Sequence, residues 1–192
     1  MAHILYEMYK VCQEDEMMRK QLRKKSGFTL IELIIAIGMI SILTAIAIPN
    51  VMSWLPNYRL KAAARDLYSN MQKAKMEAVK SNKDVLIGFV VGTYDPAGVI
   101  GSYQVFVDDS PANGAFDAGE QVLVQVNMPK NVSMYYNNFT DDTAGYNSRG
   151  LPWTYNLGSV RFQNNNSRYY QASLSFAGNV KIKTSNDGET WN

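Results

Sequence analysis

Residues 24–49 read KKSGFTLIELIIAIGMISILTAIAIP, and this stretch decides how the rest of the chain is organised. From 28 to 48 it holds 21 residues with a single ionisable group, Glu32. As an α-helix such a run is about 31 Å long, enough to cross the hydrocarbon core of a bilayer. The bases Arg19, Lys20, Arg23, Lys24 and Lys25 stand immediately before it. Lys and Arg beside a span favour the cytoplasmic side, so the residues after Pro49 are expected on the opposite side. A secretory signal peptide would carry its small-residue cleavage site after a shorter apolar core. Here Ser26 and Gly27 precede the apolar run, so a cut at this point leaves the span attached to the C-terminal part of the chain.

Working outward, 192 residues with 46% apolar content suffice for one real core beside the anchor. The only cysteine, Cys12, and the only histidine, His3, both lie before Gly27, so a chain cut there has neither thiol nor imidazole chemistry. A disulfide framework and a multi-cysteine metal site are excluded. The formal net charge of +2 also sits in residues 1–27, which carry six bases against four acids and leave thirteen of each beyond. Seven bases cluster from Arg59 to Lys83, whereas residues 84–192 hold six bases against ten acids. A basic nucleic-acid-binding surface on the C-terminal part is not indicated.

The quoted stretch resembles the processing and methylation signal of type IV prepilins and type II secretion pseudopilins. The resemblance implies that a prepilin peptidase cuts the Gly27–Phe28 bond on the cytoplasmic side and methylates the new amine of Phe28. Glycine suits a scissile position, because without a Cβ it allows close approach in a protease groove. Residues 1–16 make the leader long, and a start at Met17 or Met18 would give one of ordinary length. Glu32 needs a partner, since a charge in mid-membrane costs about 3 kcal/mol. In pilins that partner is an N-terminal amine, and a pair about 4 Å apart attracts by roughly 4 kcal/mol at an effective dielectric near 20. Glu32 is therefore assigned to subunit assembly; the plainer alternative is that it snorkels into water. Gly38, Ser41 and Thr44 suit helix packing but are common in membrane helices.

Beyond the span, Pro49 and Pro56 are expected to bend or interrupt the helix, with Trp54 and Tyr58 suited to the headgroup zone. Leu60, Ala64, Leu67, Met71, Ala74 and Ala78 then alternate steps of four and three, the apolar stripe of a helix ending near Asn82. The basic residues of this helix are read as its solvated face. After Asp84 the period becomes two, and strands are expected at 85–91, 102–107, 121–126, 132–136, 159–162, 172–176 and 179–184. The expected organisation is a leader at 1–27, an N-terminal helix at 28–83 with 28–48 in the membrane, and a globular β head at 84–192. The fold class is α+β and pilin-like, a long N-terminal helix packed on an antiparallel β-rich head. The helix segment RLKAAARDLYSNMQKAKMEAVKSNKDV and the stretch VFVDDSPANGAFDAGEQVLVQV resemble the general secretion pathway protein H/FimT branch of the pseudopilins. Residues 137–158 carry no signature and read as a surface loop.

Sites in the head are few. Asp109, Asn113, Gly114, Asp117 and Glu120 fall at positions one, five, six, nine and twelve of a calcium-binding EF-hand loop. Pro111 takes the third ligand's place and no helix comes after it, which favours a turn whose Asp, Asn and Gly serve its geometry. Asp141 and Asp142 are adjacent, whereas catalytic carboxylates oppose each other across a cleft. Without histidine and without a G-x-S-x-G motif, no nucleophile–base constellation emerges, and neither an enzyme nor a cofactor is expected. Arg161 and Arg168, with Phe162, Tyr169 and Tyr170 nearby, are the best candidates for a nucleic-acid contact. The acidic tail with Asp187 and Glu189 speaks against that partner. The resemblance implies a non-catalytic minor pseudopilin of a type II secretion system, or else a minor pilin of a type IV pilus serving adhesion, DNA uptake or pilus priming. The implied partners are other pilins or pseudopilins, prepilin peptidase, the inner-membrane assembly platform and membrane lipid. The implied location is a single pass through the inner membrane, leader cytoplasmic and head periplasmic or extracytoplasmic, with assembly into a filament after processing.

Overall fold

Thr29 starts the dominant helix, because its hydroxyl accepts a 3.2 Å hydrogen bond from the Glu32 backbone N–H and so satisfies one of the free donors of the first turn. Helix α1 runs over Leu30–Ser81, with the acid Glu32 in its first turn and Lys80 in its last, both complementing the helix dipole. The computed structural model describes Tyr6, Lys10 and residues 27–96, 99–109 and 112–192. The leader reading, with Cys12, His3, the basic run and the alternative starts, lies outside the described residues, as does Pro111.

The chain divides into two compact units, residues 1–49 and 50–192. In the first, every described residue from 28 to 49 is exposed, on all sides of the helix. By length and composition α1 is apolar enough at this end to cross a membrane. Neither proline interrupts the helix, since α1 is continuous through Pro49 and Pro56. Each proline removes one ladder donor and crowds the carbonyl four residues before it, a cost of about 3 kcal/mol that the rest of the 52-residue helix bears. The Pro56 ring is also buried, so packing offsets part of its cost.

In the second unit all six stripe residues are buried, with Pro56, Ala63 and Asn70 on the same face. Burying a Leu or Met side chain contributes about 1.5–3 kcal/mol, and this stripe supplies the helix side of the core. Among the described residues, nine strands come after the helix: β1 (Asp84–Val90), β2 (Val99–Ile100), β3 (Ser102–Asp108), β4 (Val122–Asn127), β5 (Val132–Asn137), β6 (Thr143–Tyr146), β7 (Ser159–Asn164), β8 (Tyr169–Leu174) and β9 (Val180–Ser185). They form two sheets, ordered β4-β3-β1-β6 and β2-β5-β7-β8-β9. All pairings are antiparallel except β2 with β5, so the second sheet is mixed rather than purely antiparallel. The core gathers the helix stripe with Val85, Ile87, Tyr103 and Val105 of the first sheet and Val132, Met134, Phe162 and Ala172 of the second. Buried Asn70 donates to the Tyr103 hydroxyl at 2.8 Å, and Asn164 donates to the Asn57 side chain at 2.7 Å, so α1 is tied to both sheets by polar bonds as well as packing.

Two expectations about the head are corrected. Residues 137–158 are not merely a surface loop: they contain β6, whose four residues are all buried and pair with β1 from Val85↔Tyr146 to Gly88↔Thr143. Gly145 is required there, because a Cβ would stand 2.7 Å from the Val85 carbonyl oxygen. The strand expected at 172–176 is shifted to Tyr169–Leu174, and Phe176, 71% exposed, lies in the turn after it. That turn is closed by the Gly178 N–H donating to the Ser175 carbonyl at 2.8 Å.

Candidate functional site

The described N-terminal residues from 28 to 49 are all exposed. A Cβ at Gly27 would meet nothing within 4 Å, so the fold itself has no need of glycine there. Phe28 is 83% exposed. Glu32 is exposed, and its carboxylate has no hydrogen bond or ion pair among the described residues. By contrast, the hydroxyls of Ser41 and Thr44 donate to the carbonyls of Ile37 and Ile40 at 2.8 and 2.9 Å, so their polarity is satisfied within the helix. Of these polar side chains, Glu32 is the ionisable one.

The loop after β3 is organised by a residue that metal-ligand spacing passes over. Asp108 is buried, and its two carboxylate oxygens accept from the backbone N–H groups of Asn113 (3.3 Å) and Gly114 (3.0 Å). Burial pushes its pKa up, against the lowering effect of those two amides. The neighbouring residues that fit the calcium scheme are held by bonds of their own. Lys83 reaches Asp109 at 2.6 Å, Asn113 donates to Asp117 at 2.8 Å, and Glu120 accepts from the backbone of Asp109 and Asp117 at 3.1 and 2.9 Å. No group of three or more His, Cys, Asp or Glu stands in metal-binding range among the described residues. Gly114 has a positive φ of 85°, and its Cα packs against Trp153, where any Cβ would collide with the indole. With Phe116 against Phe106 at 5.4 Å, the loop covers the outer side of the first sheet.

Asp141 and Asp142 lie in a short 3-10 turn with positive φ values of 53° and 52°, and Asp142 accepts from Asn137 at 2.9 Å. This is turn geometry, and no second carboxylate opposes the pair in the groove that they line. The basic residues of α1 are not uniformly a solvated face, as the sequence suggested. Arg59 donates to Asn131 Oδ1 at 3.1 Å, Lys75 to the Gly178 carbonyl at 3.1 Å, and Lys83, just beyond the helix, pairs with Asp109. Lys61, Arg65 and Lys73 are exposed.

Of the residues considered for nucleic acid, Phe162 is fully buried in the core and cannot stack on a ligand. The Arg161 guanidinium is held between the rings of Tyr136 (4.4 Å) and Trp191 (5.1 Å). Arg168 donates to the Asn186 side chain. It lines an open groove of about 440 Å³ together with Trp54, Tyr58, Lys61, Tyr169 and Tyr170. In the tail, the Asp187 carboxylate is held well below the usual carboxylate range by the hydroxyls of Ser185 and Thr190 and by backbone amides. It thus serves its own turn.

Residues 63–178 match the family described as type II transport protein GspH, which covers more than half of the chain. Residues 22–48 match the prokaryotic N-terminal methylation motif. Among curated proteins, pilin-like protein PilA1 of Thermus thermophilus is 34% identical over 98 residues, 50% of this chain and 56% of that protein. The chain thus spans little more than half the length of this relative. Two solved structures are among those to which the chain is similar. The minor pseudopilin EpsH of the Vibrio cholerae type 2 secretion system has 12% identity and a TM-score of 0.46, with 65% of this chain and 95% of that one covered. The type IV minor pilin FimU of Pseudomonas aeruginosa has 16% identity and a TM-score of 0.46, with 66% and 89% covered.

Proposed function

Because the chain belongs to the family of the type II transport protein GspH, we propose that it is a minor pseudopilin, a filament subunit of a type II secretion system that performs no catalysis itself. The observation that carries this reading is the joining, in one chain, of the N-terminal methylation motif at 22–48 to the GspH domain at 63–178. In this reading prepilin peptidase cuts after Gly27 and methylates Phe28. The exposed carboxylate of Glu32 then pairs with the N-terminal amine of a neighbouring subunit within the membrane. That contact needs a charge left unpaired by its own chain; Glu32 has no partner among the described residues, and in a low-dielectric setting the contact offsets the cost of burying either group alone. The span at 28–48 anchors the subunit in the inner membrane, leader on the cytoplasmic side, until the assembly platform lifts it into the filament.

A second reading is a minor pilin of a type IV pilus, favoured by the likeness to the pilin-like protein PilA1. The two readings share the processing step. Intact mass and N-terminal analysis of the protein from host membranes, with and without active prepilin peptidase, tests it. The expected result is a chain beginning at N-methylated Phe28 only when the peptidase is active. An uncut chain in both strains rules out filament assembly by this route.

A further inference from the structure

The cations of the second unit differ in what they face. Lys80 and Lys83 have carboxylate partners, Lys75 is spent on backbone carbonyls, and Arg161 is enclosed by aromatic rings. Lys61 and Arg168 share the groove of about 440 Å³, and among the described residues no carboxylate lines it. Lys61 has no ion pair among the described residues, and the Arg168 guanidinium donates to the neutral Asn186 side chain. The acid next to Asn186 in the chain, Asp187, is not among the residues that line the groove, and its carboxylate accepts from the hydroxyls of Ser185 and Thr190. Two uncompensated cations in one concavity attract an anion, and an Arg and a Lys together suit a phosphate's oxygens. The remaining wall is aromatic: Trp54 and Tyr58 stand edge to face at 5.5 Å, and Tyr170 lines the groove with them. Trp54 comes only six residues after the end of the apolar run at Ile48. Trp and Tyr at that position are the residues that sit at a lipid headgroup layer.

We propose that this groove binds the headgroup of an anionic glycerophospholipid, with Lys61 and Arg168 facing its phosphate and Trp54 and Tyr58 lying against the glycerol and first methylenes. The volume is within the range of small-ligand sites. The bound headgroup supplies the counter-charge that the groove lacks. Choosing a lipid over a soluble phosphate ester rests on the membrane-anchored reading of the chain. An unprocessed N terminus would fail that reading without altering the groove, and a flat titration would fail the groove without altering the processing.

The test is calorimetric titration of the full chain in neutral detergent with short-chain phosphatidylglycerol, and in parallel with short-chain phosphatidylcholine and glycerol 3-phosphate. Saturable one-to-one binding of phosphatidylglycerol is expected, with both comparison ligands weaker. Lys61→Gln and Arg168→Gln should each weaken it by about tenfold or more. Lys181→Gln, an exposed cation on β9 outside the groove, should bind as the parent does. Unaltered binding in both groove variants, or an equal loss in Lys181→Gln, overturns the site. Glycerol 3-phosphate binding as tightly as the lipid overturns the headgroup assignment.

Discussion

Helix α1 carries apolar side chains along both of its halves, and the two halves behave in opposite ways. From 28 to 48 every residue is exposed, and the apolar side chains cover the helix all round. From Leu60 to Ala78 the apolar core residues keep to one stripe, and that stripe is wholly buried against the two sheets. A stripe identifies a helix whose core lies on one side, supplied by its own chain. An all-round apolar surface has no such side, so the solvent it requires is either lipid or other helices. The polar residues obey the same division. Asn70 in the second stretch is bonded to Tyr103, while Glu32 in the first has no partner among the described residues. The first stretch is therefore built for contacts between molecules and the second for contacts within one.

The largest effect expected from this contrast is at Glu32. Glu32→Gln removes a charge that no side chain of the described residues pairs with, so the head should keep its thermal midpoint while the subunit disappears from filaments sheared from cells. Cutting and methylation should continue as before. A Glu32→Gln subunit recovered in filaments at parental levels would show that the carboxylate has no part in assembly.

Next in size is a paired truncation within the same helix. Leu67→Ala empties a fully buried site and should cost the head about 2–5 kcal/mol in denaturant unfolding. Leu43→Ala, in the exposed stretch, should leave that transition unchanged. If both variants lower it equally, the two stretches are one cooperative structure and the contrast fails.

How much of the fold is legible in the sequence depends on how far each feature carries its own periodic signal. The stripe of α1 is legible residue by residue, because a 3.6-residue period repeats over about five turns from Leu60 to Ala78. The longer strands are legible through alternation, as in β4, where Val122, Val124 and Val126 recur. β6 is not, since Thr143-Ala144-Gly145-Tyr146 is too short to alternate and its pairing partner, β1, lies far away in the sequence. The continuity of α1 through Pro49 and Pro56 is also hidden, because local propensity says only what each proline costs and not what the surrounding helix tolerates. In the loop after β3, attention to metal-ligand spacing picks Asp109 and misses Asp108. A signal was available: Asp108 is in phase with Phe106 along β3, on the side that the loop folds back to cover.

Asp108 supplies the smallest and most particular test, because it is the head's counterpart to Glu32: an acid whose partners lie within its own chain. An unfolded aspartate ionises near its ordinary value of 3.8, whereas burial holds the folded Asp108 in its protonated form to higher pH. Its folded pKa is raised, so the folded state binds the proton more tightly. The stability this contributes is fully present below 3.8 and is lost as pH rises through the folded value. Asp108→Asn keeps the shape and an acceptor oxygen but cannot titrate. The difference in thermal midpoint, parent minus variant, should therefore be largest at the acid end and fall steadily as pH rises towards neutral. A difference that instead grows with pH would mean that the two amide donors outweigh burial, and that the loop is held by an ionised carboxylate. That outcome would also narrow the contrast with Glu32, since both acids would then act through their charge and differ only in whether the opposing group belongs to the same molecule.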